Sequence, residues 1–136
     1  MTKLKIFKAG AITIVVLGVL HLIGQASSKL ADPQGLALLE AMENYKIKML
    51  GEHSVLKFFK GFSTTMGVLI IAFGAQNLLL ATAIVKSKRN IASTILITAI
   101  SFVLAVTYFH ALAYGMLLLA FICFIVAFFR KGDYEV

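Results

Sequence analysis

Four long apolar runs, parted by short charged segments, set the pattern of this chain. They cover about residues 6–26, 61–85, 91–110 and 111–129. A helix needs roughly 20 apolar residues to cross the ~30 Å hydrocarbon core of a bilayer, and each run is close to that length. No charge interrupts the first run after Lys8, and the run continues through His21 and Gln25. A basic start before an apolar stretch also describes a secretory signal, with Ala26-Ser27-Ser28 as small residues for cleavage. The length of the run and its polar end favour a retained span. The second run stops at the basic turn Lys86-Ser87-Lys88-Arg89-Asn90. The third and fourth are nearly continuous, with a tight turn expected near Ala113-Tyr114-Gly115, so these two helices should be antiparallel neighbours.

The segment from Ser27 to Lys60 is more polar but still patterned. Asp32-Pro33 reads as an N-cap followed by proline at the first helical position. Leu36, Leu39, Met42, Ile47 and Leu50 give an approximately helical rhythm, which Gly51 can close. Glu40, Glu43, Lys46 and Lys48 occupy the wetter side. An amphipathic helix over about 33–50, lying on the outer surface of the membrane or capping the spans, is the expectation. The fold class is therefore all-α: a single membrane domain over 1–136, built as an integral membrane four-helix bundle with that amphipathic helix in its first outer loop.

Composition agrees with the pattern. Sixty per cent of the 136 residues are hydrophobic and 14% are charged, with a mean hydropathy of +0.95. Soluble domains average about half apolar and about a quarter charged. Too little polar surface is left to coat a water-soluble globule. The net charge of +7 sits beside the apolar runs, which is the placement for orienting spans and meeting anionic lipid headgroups rather than nucleic acid. With the N-terminus inside, Lys3, Lys5, Lys8, Lys86, Lys88, Arg89, Arg130 and Lys131 face the cytoplasm. Lys29, Lys46, Lys48, Lys57 and Lys60 then lie outside, over a longer segment. The bias gives both termini in the cytoplasm. Tryptophan is absent, and Tyr45, Tyr108, Tyr114 and Tyr134 are the interface anchors on offer. The lone Cys123 lies inside an apolar run and supports no disulfide or cysteine metal site.

Polar residues within the runs need a partner or a purpose, because the bilayer core holds no water to satisfy them. At 100° per residue, Gly10, Gly18, His21, Gln25 and Ser28 share one stripe of the first span. Ser63, Gly67, Gly74, Asn77 and Ala81 do so on the second, and Thr94, Thr98, Ser101, Ala105 and Tyr108 on the third. Such faces serve close helix packing, or line a small cavity. His21 sits ~7 Å outward of the midplane by helix rise, with Gln25 beyond it. The candidates for a ligand pocket are His21, Gln25, Ser63, Asn77 and His110, with Ser63 the expected partner of His21. No catalytic residues, cofactor or metal are assigned. The three histidines come from different segments without metal-ligand spacing, Gly61-Phe62-Ser63 and Ser63-Thr64-Thr65 lack a nearby set of base and orienting group, and no phosphate-cradling glycine loop occurs.

The combination Gly18-x-x-His21, Gly61-Phe62-Ser63-x-x-Met66-Gly67 and Gly74-x-x-Asn77 resembles a group of small four-span bacterial inner-membrane proteins of uncharacterised activity. The likeness covers the first two spans. In size and layout the chain is also loosely similar to DoxX-type proteins, without a defining motif matched. The resemblance implies a bacterial inner-membrane bundle and carries no activity with it. Residues and resemblance together point to a non-enzymatic subunit or accessory protein, in contact with membrane lipid and packing on a membrane partner or on itself. The alternative is a binder of a lipid, quinone or other small hydrophobic ligand in an outer-leaflet pocket near His21. A metal or haem protein ranks below both.

Overall fold

The computed structural model describes residues 1–27, 32–48 and 51–131. Ser28, Lys29, Leu50 and Tyr134, which entered the reading above, lie outside the described residues. The elements in order are α1 (Lys3–Ser27), α2 (Pro33–Asn44), β1 (Lys46–Lys48), β2 (Glu52–Ser54), α3 (Val55–Leu79), α4 (Ala81–Ile84), α5 (Lys88–Tyr108) and α6 (Ala111–Phe129). Among the described residues, α1, α3, α5 and α6 are long and apolar enough to cross a membrane.

The connection between α1 and α3 departs from an all-helical reading. Asp32 caps α2 as expected, its carboxylate accepting from Gly35 N at 2.8 Å, with Pro33 behind it. The helix then ends at Asn44 rather than near residue 50, and Lys46–Lys48 pairs antiparallel with Glu52–Ser54. Two features favour the hairpin. Gly51 adopts φ +123°, a backbone region that suits glycine in a reversal. Ser54 fixes the far side: its hydroxyl donates to Glu43 Oε2 at 3.1 Å and accepts from Lys57 N at 3.2 Å, which caps α3. The second span accordingly starts at Val55, ahead of the expected Gly61.

Two further boundaries move. The run expected to be helical through Val85 breaks at Leu80, whose N–H turns back to Gln76 O and Leu78 O before α4 resumes. The turn between the last two spans falls at Phe109-His110, so Ala113-Tyr114-Gly115 lies inside α6. Nothing in the apolar pattern marks that position, because both flanks are equally hydrophobic.

Helix α1 is the centre of the packing. It lies against α3 on one side and α6 on the other, and α6 continues onto α5. Glycines permit the close approaches. A Cβ on Gly18 would stand 2.6 Å from Ile71 Cγ1 and 3.0 Å from Gly67 O; one on Gly74 would stand 2.8 Å from Val15 N. Of the stripes read from the sequence, Gly18, His21 and Gln25 on α1 and Ser63, Gly67 and Gly74 on α3 serve the contact between these two helices, whereas Gly10 faces Phe124 of α6. The main core gathers the amino-terminal half of α1 (Ile6, Phe7, Ala11, Ile14), Ala81 and Val85, Ile91, and the end of α6 (Ala120, Phe124, Ala127). Phe7 and Phe124 meet there with ring centroids 4.9 Å apart. A smaller cluster of Leu17, Ala105 and Leu117 lies farther along α1. The molecule is therefore closed at the end where α1 begins, and more thinly packed toward the end where α1 finishes.

Candidate functional site

Helices α3 and α5 do not share a packed face along their length, and the space between them is a cleft. Its cavity measures about 340 Å³, within the range of small-molecule sites and well above that of a single void in a core. Met66, Leu69, Ile70 and Phe73 of α3 form one wall, and Ile97, Leu104 and Ala105 of α5 the other. Ile14 and Leu17 of α1 with Ala113 and Leu117 of α6 make the floor. Three polar side chains interrupt this apolar lining among the described residues: His21, Thr98 and Ser101.

His21 is held from behind. Its Nε2 lies 3.0 Å from the Ser63 carbonyl oxygen and 3.1 Å from Ser63 Oγ. A carbonyl oxygen can only accept, so Nε2 is the donor in that bond. The pairing of His21 with Ser63 expected from the stripes is present. One turn farther along α1, Gln25 Nε2 donates to Lys60 O at 3.0 Å and to Thr64 Oγ1 at 3.1 Å. These bonds tie the ends of α1 and α3 together above the cleft.

The five residues singled out from the sequence do not converge on one pocket. His21 alone lines the cavity. Ser63 stands behind it, and Gln25 is engaged with α3. Asn77 is buried at the opposite end, where its Nδ2 donates to Phe73 O at 2.9 Å and its Oδ1 accepts the Thr94 hydroxyl at 2.9 Å. It is a tie between helices. His110 is exposed at the start of α6, without a side-chain capping bond, and is outside the cavity wall. A helical wheel assigns faces but not how far apart two facing helices stand. The pocket candidates left out Thr98 and Ser101, although the polar stripe on the third span contained both. Thr98 is 1% exposed, and its hydroxyl donates to Thr94 O at 2.8 Å; the Ser101 hydroxyl donates to Ile97 O at 2.9 Å.

Among the described residues no group of three or more His, Cys, Asp or Glu side chains is placed to hold a metal ion. The chain matches no protein-family model, no curated protein and no solved structure. The class defined by the fold and the site is a mostly helical protein with four helices long and apolar enough to cross a membrane and an apolar cleft between two of them.

Proposed function

We propose that this chain is a non-enzymatic bundle of four spans in the bacterial inner membrane, with both termini cytoplasmic, that holds a small hydrophobic ligand between α3 and α5. The observation that carries the reading is the cleft itself: about 340 Å³, apolar on four helices, with an imidazole and two hydroxyls in its wall. An apolar pocket with a few fixed polar groups is the usual form of a small-molecule site. The basic flanks of α1, α5 and α6 lie at the closed end of the molecule, which supports a cytoplasmic position for that end and an outer-leaflet position for the cleft. Lipid-soluble molecules reach such an opening from the side, without crossing water. Binding is favoured over catalysis because Ser63, whose hydroxyl lies 3.1 Å from His21 Nε2, is not in the wall of the cleft, and the Thr98 and Ser101 hydroxyls that are in it bond to their own helix.

Ala113 stands in the floor of the cleft, and Ala113→Phe would fill it. Protein in lipid nanodiscs should retain an apolar molecule, detected by mass spectrometry of a solvent extract, and Ala113→Phe should lose it while staying folded. Identical extracts from both forms would count against the reading.

A second reading keeps the chain as a subunit that packs on a membrane partner or on itself. The observation in its favour is the thin cover of α3, where only Gly67, Gly74 and Asn77 are buried among 25 residues. Cysteines at Leu69 and Leu104, on the rims of the cleft, would separate the two. Cross-linking to another chain would favour the subunit, and protection by a bound small molecule would favour the binder.

A further inference from the structure

The hydrogen-bonding inventory of the cleft is one-sided. His21 Nε2 is engaged by the carbonyl and the hydroxyl of Ser63 and is not free for a ligand. The hydroxyl proton of Thr98 is committed to Thr94 O, and that of Ser101 to Ile97 O. Each oxygen keeps lone pairs only. The backbone N–H groups of α3 and α5 along the cleft are used within their own helices. An acceptor could recruit a hydroxyl proton only by breaking the bond already made to the helix, an exchange that returns close to nothing. A donor gains a bond without breaking one.

From this inventory, and resting on the proposal that the cleft binds a small molecule, we infer that its ligand is an apolar molecule bearing a hydroxyl, which donates its proton to Thr98 or Ser101. The class takes in aliphatic alcohols and phenols alike. It sets apart the two redox forms of one ring system, since a hydroquinone donates and a quinone only accepts. It also disfavours carboxylates, which would bring a charge into an apolar cleft with no donor to meet it.

The test compares two probes of one ring size, 2-naphthol, which donates, and 2-methoxynaphthalene, which only accepts. Equilibrium dialysis against the full chain in lipid nanodiscs, with empty nanodiscs subtracting partition into lipid, gives each affinity. The wild type should bind 2-naphthol at least about fivefold more tightly, the worth of one hydrogen bond. Thr98→Val with Ser101→Ala should bring the ratio toward one and leave 2-methoxynaphthalene unchanged. Ser101→Ala alone, which alters only a half-buried side chain, should lower the ratio part of the way and guards against loss of fold in the double variant. Equal affinity in the wild type, abolished for both probes by Ala113→Phe, would overturn the donor rule and leave the cleft as a binding site. Tighter binding of the ether would overturn it as well. Binding of neither probe beyond the empty nanodisc would overturn the inference and the binding reading together.

Discussion

Thr94 donates its hydroxyl proton to Asn77 Oδ1 across 2.9 Å, joining α5 to α3 at the closed end of the molecule. Farther along, the same two helices part to form the cleft. The bond sets where the cleft begins. Both residues are buried; Asn77 Nδ2 also donates to Phe73 O, and the single Thr94 hydroxyl proton lies between Asn77 Oδ1 and the more distant Asn90 O at 3.2 Å.

The pair should show an asymmetry. Thr94→Val leaves the Asn77 carbonyl oxygen buried without a donor, at a cost of about 1–3 kcal/mol. Asn77→Leu removes the acceptor, and Thr94 retains its bond to Asn90 O. The double variant should be less destabilised than the sum of the singles, by about 0.6 kcal/mol, the average of such couplings between membrane helices, and by no more than about 1.7. Reversible unfolding in bicelles measures the cycle. Strict additivity would show that the bond contributes nothing.

Glycine on α3 should be irreplaceable where α1 crosses it. A Cβ on Gly67 would run into Leu22 Cδ2 and come within 3.0 Å of His21 Cδ2, and one on Gly74 meets the backbone of Val15. Gly67→Leu and Gly74→Leu should sharply lower the yield of folded protein in detergent, by overpacking. Val68→Leu, at a site 52% exposed, should not. Ile71 is a poorer control, because it packs on Gly18. Equal yields at all the positions would mean that α1 and α3 do not meet on this face.

The His21–Ser63 pair separates fold from binding. His21→Gln can still donate to the Ser63 carbonyl and should melt close to wild type. His21→Leu cannot, and loses about 0.5–1.5 kcal/mol. The Leu variant should also retain less of any ligand extracted with the wild type. Unchanged melting and retention in the Leu variant would remove His21 from both roles.

Orientation is checked at the turn Lys86-Ser87-Lys88-Arg89. A reporter active only outside the cytoplasm should stay silent when fused there, as the basic flanks require. Strong activity at that fusion would invert the topology and place the cleft in the inner leaflet.

The sequence by itself determined the four apolar helices, the capped start of α2 at Asp32-Pro33, and the facing of His21 toward Ser63. These follow from composition and from a 100° repeat, both local properties of the chain. It did not mark the hairpin, since Ile47 fits a helical rhythm as well as a strand and the choice rests on Gly51 and on Ser54 reaching Glu43. Nor did it mark the Phe109-His110 turn, within hydrophobic sequence on both sides. The cleft was decided by tertiary structure alone. Asn77 and His21 share a stripe pattern, yet one is buried between helices that touch and the other faces a space where they do not. Periodicity fixes the direction in which a side chain leaves its helix; the distance to the next helix depends on every contact that α1 and α6 make with their neighbours.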